Sequence, residues 1–466
     1  MNAPVSVVIL AAGLGTRMKS KLAKVLHRAG GLTLVEHVIR AASAIAPPGR
    51  IAAVVGHQAD SVRALLAASG VQFVDQTEQK GTGHALLMAR HLPSMQEGRI
   101  LVLYGDCPLL SAATLEALLA RHAAAGLAAT LVTTILDNPS GYGRILLDHS
   151  DRVIDIIEEK AATPEQKRLK LINSGIYCFE AASLWPALER VPPNPASGEI
   201  YLTDLIKLLR QEGRFTATYE LNDPAEMMGI NTRAELAEAD RILRSRKTRQ
   251  LMLSGVTIEK PETVSIDPDV EVGQDTIIGP FAQILGRTTI GPDCRIGASV
   301  LIENSTLGGG VTVFPFCSIQ DSVLEPGVEV GPFARLRMHA HLEEHAHVGN
   351  FVELKKTRLG AGSKSMHLAY LGDATIGAKA NIGAGTITCN YDGAQKHPTT
   401  IGDGAFVGSN STLVAPVEIG AGSYVAAASV ITHSVPADAL AIGRSRQVNK
   451  EGWAAARRLK NAEKMK

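Results

Sequence analysis

The sequence predicts an α/β chain in which a mostly parallel sheet with helices on both faces gives way to a parallel β-helix. Three observations carry this. Up to about Thr232, strand-like and helix-like segments alternate. From about residue 256, aliphatic residues return at every sixth position. Between the two lies one stretch rich in Arg, Glu, Leu and Ala, bounded by helix start and stop signals.

The first half opens on VSVVIL, a short apolar run that breaks at a glycine-rich turn. IAAVVG, VQFV and ILVLYG read as further buried strands. Between them, LVEHVIRAASAI, SVRALLAAS and GHALLMARHL carry apolar residues at helical spacing. Strand, helix, strand in succession predicts a mostly parallel sheet, with its ligand at the carboxyl ends of the strands. AATLVTTIL, YGRILLD, RVIDIIEE and LINSGIYCFE follow as a strand-rich stretch, expected to form a lid or a sheet extension. Thr232 and Glu235 then make a capping-box pattern, and Gly255 is a stop signal. The expected boundaries are a first domain over 1–231, a linker helix over 232–255 and a second domain over 256–466.

In the second domain Val272, Ile278, Ile284, Ile290, Ile296 and Ile302 share one register. The spacing returns at Val330, Leu336, Leu342, Val348 and Leu354, and again from Ile401 through Val407, Leu413, Ile419 and Val425 to Ile431. This is a hexapeptide repeat, the mark of a parallel β-helix that buries its core by stacking coils. An aromatic content of 4% suits so narrow an interior. GAGSKSMHLAYL and GAGTITCNYDGAQKHPTT interrupt the period and are expected as loops on a binding face.

Composition narrows the partners. Lys+Arg 47 against Asp+Glu 46 gives a net charge of +1, so no global field draws the chain to nucleic acid or to a membrane surface. The five cysteines are scattered, without a CxxC pair, as in a reduced cytoplasmic protein. No apolar span of about 20 residues is present.

LAAGLGTRM is neither a dinucleotide fingerprint, since Met18 stands at the third glycine position, nor a Walker A loop. Gly13 and Gly15 leave backbone N–H groups free to approach a phosphate, with Arg17 and Lys24 as charge. In LYGDCPL, Asp106 follows a buried strand, where a carboxylate can hold Mg²⁺ beside substrate phosphates. An ordinary strand-to-helix turn and a turn-forming Asp fit the same residues, and on these residues alone both readings stay open.

These stretches together carry a resemblance. LAAGLGTRM, a following lysine and LYGDCPL resemble the sugar-nucleotide pyrophosphorylases. With GTGHA, SGYGRI, INSGIY, GINTR, HVGNFVELKK, MHLAYLGD and NIGAGTITCNYDG, nearly the whole chain resembles the bacterial bifunctional GlmU family. The resemblance implies a Rossmann-like uridyltransferase domain followed by a left-handed β-helix acetyltransferase domain. It implies a cytoplasmic homotrimer acting on glucosamine-1-phosphate, acetyl-CoA, N-acetylglucosamine-1-phosphate and UTP, with Mg²⁺ as cofactor. Leu10, Ala11, Ala12 and Gly13 would line the uridine nucleotide, and Gln76, Gly81 and Thr82 would read the base. Tyr104, Gly105, Gly143, Glu158 and Asn173 would meet the sugar. Asp106 and Asn231 would hold the metal, while Arg17 and Lys24 neutralise phosphates. Asn231 also precedes the capping box, so helix capping is its structural alternative.

For acetyl transfer the resemblance implies His367 as general base, assisted by Glu353. Arg337, Lys355, Tyr370, Asn381 and Asn390 would bind the sugar phosphate. Ala384, Asn390, Tyr391, Ser409, Ala427 and Arg444 would contact acetyl-CoA. The chain departs from the family pattern at Ala23, where proline is usual, at Met338-His339, at Ala369 and at Gly443. His339, His341, His345 and His347 form a cluster that invites a zinc-hydrase reading, although no supporting pattern surrounds it. Three functions compete: a two-reaction enzyme, a single-activity pyrophosphorylase whose β-helix only trimerises, and a nucleotide-sensing scaffold. The tail GWAAARRLKNAEKMK is expected to pack on a neighbouring subunit or to fray.

Overall fold

The computed structural model describes residues 3–465 except 125, 150, 151, 160 and 196. Contacts divide the chain into two compact units, 1–246 and 247–466. The division falls within the helix Arg233–Leu253.

The first unit is built on β1 (Val5–Leu10), α1 (Leu34–Ser43), β2 (Ile51–Val55), α2 (Ala59–Leu66), β3 (Gln72–Asp75), α3 (Thr82–Met88) and β4 (Arg99–Tyr104). Each predicted strand and helix of this stretch forms. α4 (Ala112–Ala124) leads to the strand-rich stretch: β5 (Ala129–Ile135), β6 (Arg144–Leu147), β7 (Val153–Ile157) and β8 (Leu171–Glu180). α5 (Ala181–Leu188), α6 (Leu202–Gln211) and β9 (Thr216–Glu220) complete it.

The sheet order is β9-β5-β8-β4-β1-β2-β3. Along this path only β8 runs antiparallel to its neighbours. The strand-rich stretch therefore extends the sheet, with β6 and β7 as an antiparallel pair branching from β8. Alternation along β1 shows why both faces carry helices. Val7 and Ile9 pack in one core with Val38 of α1 and Leu115 of α4. Val8 and Leu10 pack in the other with Leu86 of α3 and Leu205 of α6. The first core is almost wholly aliphatic, the second adds Tyr177, Phe179 and Trp185, and β1 is buried on both sides, as a central parallel strand is.

The helix α7 (Arg233–Leu253) starts at the predicted capping box. The Thr232 hydroxyl accepts from Glu235 N–H at 3.2 Å, and Glu235 Oε2 accepts from Thr232 N–H at 2.8 Å. It ends before Gly255, whose φ of +99° lets Val256 N–H return to Leu251 O at 3.1 Å.

The second unit is a stack of short parallel strands whose inward residues form one continuous core. Every residue of the three predicted six-residue series is buried except Val272, which is half-buried. The series slips where one side of a coil loses a residue, as at Ile302 to Leu307 and Leu354 to Leu359, where Asn304 and Lys356 turn the corner at positive φ. The aromatic residues lie outside: Phe316, Phe333 and Phe351 stack on one corner at 4.9 and 5.4 Å, each about half exposed.

The two interruptions differ from expectation. GAGSKSMHLAYL is no loop; Lys364–Gly372 is a strand paired in register with His347–Lys355. Its core position is filled by Ser365, buried between Val348 and Ile382, and the polar side chain hides the period. In the second interruption Thr388 likewise takes a core position, and only the segment from Asn390 to Pro398 leaves the coil. The tail carries a helix, Trp453–Lys464, with every described residue exposed. Among the described residues no helix is long and apolar enough to cross a membrane.

Candidate active sites

The first site stands at the carboxyl ends of β1 and β4, which are tied together by Gly105 N–H to Leu10 O at 2.9 Å. A cavity of about 330 Å³ opens there. Ten predicted residues line it: Leu10, Ala11, Ala12, Gly13, Lys24, Gln76, Gly81, Thr82, Tyr104 and Asp106. Gly15 is required by the loop. Its φ is +61°, and a Cβ there would stand 2.5 Å from Lys24 Cβ.

At the rim, four side chains from distant segments converge. The Lys24 ammonium pairs with the Asp106 carboxylate and donates to Asn231 Oδ1 at 3.3 Å. Arg17 donates to the same Asn231 oxygen at 2.8 Å. Asn231 thus turns its carbonyl oxygen to the cations, and Thr232 serves as the helix cap, which decides against the capping alternative. The carboxylate and the amide oxygen that both meet the Lys24 ammonium are hard donors of the kind that Mg²⁺ takes beside water and phosphate oxygens. Burial and the neighbouring Asp106 charge push the Tyr104 phenol up, so it stays a neutral hydrogen-bonding wall of the cavity.

Gly143, Glu158 and Asn173 form a second group. Asn173 N–H donates to Gly143 O at 2.9 Å, and a Cβ on Gly143 would lie 3.7 Å from Glu158 Oε1. The Tyr104 ring connects this group to the cavity by packing on Gly175, where a Cβ would stand 2.7 Å from the ring. The lining also includes residues with weaker sequence signals. Gln79, within the polar loop QTEQKGTGHA, donates to Ala12 O at 2.8 Å. Glu199 and Tyr201 arrive from far along the chain because Ile200 pairs with Lys80 and Gly83, both at 2.8 Å.

The second site follows from strand register. Asn350 and His367 are register partners on adjacent coils, and His367 Nδ1 lies 2.7 Å from Asn350 Oδ1. An amide oxygen only accepts, so Nδ1 carries the proton and the Nε2 lone pair is left free. Val348, Ser365, Ile382, Val407 and Val425 are successive register partners. Two residues beyond them come Asn350, His367, Ala384, Ser409 and Ala427. The predicted base and three predicted acetyl-CoA contacts therefore form one column, rising a coil at a time, with about 4.8 Å per rung.

A few residues further along, Lys355 and Asn390 converge on Asp373, with Tyr370 beside Asn390, and Arg337 pairs with Glu353. Arg337 donates to Glu353 Oε1 at 2.7 Å. The Lys355 ammonium, buried, donates to Asp373 Oδ2 at 2.9 Å, and the Asn390 amide donates to the same oxygen. Burial alone would raise the Asp373 carboxyl, but Lys355 and Asn390 outweigh it and hold it below its ordinary value. A Cβ on Gly372 would meet Tyr370 Oη at 2.6 Å and Asn390 Nδ2 at 2.7 Å, so the glycine admits both. Asn350 and Asp373 lay inside quoted motifs but were not singled out.

Three predicted residues stand apart in the single chain. Asn381 belongs to another column, between Lys364 and Phe406. Tyr391 is exposed, its hydroxyl donating to Gly393 O at 2.6 Å. Arg444 is exposed beyond the last coil. The histidine cluster disperses: His341 pairs with Glu325 at 2.7 Å, and His347 with Glu329 at 4.0 Å. Among the described residues no group of three or more His, Cys, Asp or Glu converges as a metal site.

The departures have local accounts. Met338 and His339 both take positive φ, 54° and 64°, at a two-residue corner. Gly443 is needed because a Cβ would lie 2.3 Å from Val430 O. Ala369 is buried in the β-helix core, where a hydroxyl would need a partner.

Known proteins share both halves. Residues 7–192 match the MobA-like NTP transferase domain, 260–358 the GMPPB C-terminal domain, and 398–433 the bacterial transferase hexapeptide repeats. The bifunctional protein GlmU of Solibacter usitatus is 56% identical over 98% of both chains. The chain belongs to the bifunctional GlmU family. Other members named bifunctional protein GlmU include that of Koribacter versatilis, 50% identical over 99% of both chains. That of Anaeromyxobacter sp. is 50% identical over 98% of this chain and 93% of its own. The two sites thus lie on the two domains that the family joins in one polypeptide.

Proposed function

We propose that the chain makes UDP-N-acetylglucosamine, a precursor of peptidoglycan and lipopolysaccharide, in two reactions on its two units. In the second unit the amine of glucosamine-1-phosphate attacks the thioester carbonyl of acetyl-CoA. The amine proton passes to His367 Nε2, the C–S bond breaks, and CoA leaves as the thiolate, which takes a proton from the imidazolium to become the thiol and returns His367 to its neutral form. Asn350 orients the imidazole. Arg337 and Lys355 bind the sugar phosphate with Tyr370 and Asn390. Ala384, Ser409 and Ala427 give a flat column of small side chains for the acyl donor's arm.

In the first unit a phosphate oxygen of N-acetylglucosamine-1-phosphate attacks the α-phosphorus of UTP, and pyrophosphate leaves. No protein nucleophile is needed; positioning and charge neutralisation carry the step. Leu10 to Gly13 bound the nucleotide, with Gln76, Gly81 and Thr82 at the base. Gly143, Glu158 and Asn173 receive the sugar. Arg17 and Lys24 offset the phosphate charge, and Asp106 with Asn231 would hold Mg²⁺, which supplies further charge neutralisation when bound. The observation that carries this reading is the convergence of Lys24, Asp106, Arg17 and Asn231 at the mouth of the cavity.

Asn381, Tyr391 and Arg444, which stand apart from His367 in one chain, are assigned to sites completed by a neighbouring β-helix in a cytoplasmic homotrimer. One assay tests the whole: acetyl-CoA with glucosamine-1-phosphate, then UTP, for wild type, Asp106→Ala and His367→Ala. Each variant is expected to lose one reaction and keep the other. Normal acetylation by His367→Ala would overturn the base assignment, and a wild-type protein that transfers uridylyl but not acetyl groups would favour the single-activity pyrophosphorylase.

A further inference from the structure

Lys24 reaches Asp106 and Asn231 from a loop that has little structure of its own. Between the single helical turns Thr16–Met18 and Lys24–Leu26, the chain passes through Lys19 at φ +47° and runs exposed to Leu22. One side chain from elsewhere grips it. Gln58, at the start of α2 and itself at φ +54°, reaches back with both ends of its amide. Its Oε1 accepts from Ala23 N–H at 2.8 Å, and its Nε2 donates to Lys21 O at 2.5 Å. The pair of bonds spans two residues on the same strand of chain, as a neighbouring β-strand would. The residue after Ala23 is Lys24, so the clamp fixes the backbone immediately before the cation.

We infer that Gln58 is a positioning residue for uridylyl transfer, clamping the backbone at Lys21 and Ala23 so that the Lys24 ammonium is held at Asp106 and Asn231. The inference rests on the reading of Lys24 as a phosphate-binding cation. It carries its own signature. Ala23 has φ −55°, a value that proline adopts without strain, and proline would stiffen the same backbone without needing an acceptor. With Gln58 present, however, the proline ring would fall where the Ala23 N–H now meets Gln58 Oε1. The two solutions exclude one another.

The test uses the full-length protein and four variants: Gln58→Ala, Gln58→Met, Ala23→Pro and the double Gln58→Ala/Ala23→Pro, with Lys24→Ala alongside. Two readouts are taken: kcat and KM for UTP, and the rate of trypsin cleavage after Lys19 and Lys21. Gln58→Ala and Gln58→Met are expected to lose about tenfold in kcat/KM, mainly through KM, since an ångström of misplacement costs up to about a hundredfold. Cleavage should quicken by a similar factor, and acetyl transfer should be unchanged. Ala23→Pro alone should also be impaired, while the double variant regains most of the wild-type kcat/KM and trypsin resistance. Wild-type behaviour of both Gln58 variants, or a double variant no better than Gln58→Ala, overturns the inference. If trypsin responds as expected but Lys24→Ala transfers uridylyl at the wild-type rate, the clamp remains and its catalytic role is overturned.

Discussion

Replacing Asn350 by Ala removes the hydrogen bond that orients the His367 ring, Nδ1 to Oδ1 at 2.7 Å. The pair is exposed, so the bond's net worth lies in the ordinary range of about 0.5–1.5 kcal/mol. At about 1.36 kcal/mol per decade, acetyltransferase kcat should fall roughly two- to tenfold. That is far less than the loss of about 10²–10⁴ expected for His367→Ala, which deletes the base itself. Asn350→Asp separates orientation from bulk loss. A carboxylate at the same place still accepts from Nδ1, so Asn350→Asp should keep more of the wild-type kcat than Asn350→Ala. The assay is release of free CoA thiol across pH 5.5–9, with uridylyl transfer as the internal control. An Asn350→Ala enzyme with unchanged kcat, or an Asn350→Asp enzyme no better than Asn350→Ala, would refute the reasoning that Asn350 orients the ring with Nε2 as the working base.

Other outcomes follow from burial. Asp373→Asn leaves the Lys355 ammonium, only 3% exposed, without its carboxylate, and should destabilise the β-helix by about 3 kcal/mol, seen as an earlier thermal transition. Lys355→Met should be milder for stability yet abolish acetyl transfer at ordinary glucosamine-1-phosphate concentrations. Ser365 is fully buried with an unpartnered hydroxyl, so Ser365→Ala should stabilise the chain by about 1 kcal/mol in denaturant unfolding. His37 is held below 6.5 by burial, partly offset by its hydrogen bond to Ala29 O. The unfolded state therefore binds the extra proton first, and stability should fall as pH drops below about 6.5. His37→Gln should flatten that slope when midpoints at pH 7.5 and 5.5 are compared.

Much of this architecture was legible because it is periodic. The strands from Val5 to Tyr104 and the core series from Ile278 to Ile431 were readable from spacing, since burial on both faces or in a coil leaves little choice of side chain. The misreading of GAGSKSMHLAYL shows the limit. A single polar residue, Ser365, in an aliphatic register looks like an interruption, although backbone pairing continues through it. The nucleotide site was legible as motifs, yet Glu199 and Tyr201 were not, because they reach the cavity through backbone pairing of Ile200, which leaves no mark on residue type. Gln58 is similar: its partners are main-chain atoms, and nothing about Lys21 or Ala23 announces them. Asn231 could be read as cap or ligand from sequence; only the direction of its side chain separates the two.

The column from His367 to Ala427 is a ruler marked in whole coils. The gap between the imidazole and the outermost small side chain is three rungs, about 14 Å, and it cannot be adjusted by degrees. A coil can lose one residue at a corner and keep its register, as the 17-residue steps from Val348 to Ser365 and from Ser365 to Ile382 show. Losing one full coil would keep all orientations and shorten the reach by a single step. Length in this half of the molecule is therefore a discrete variable, and under the proposed function the size of the acyl donor would be counted rather than tuned.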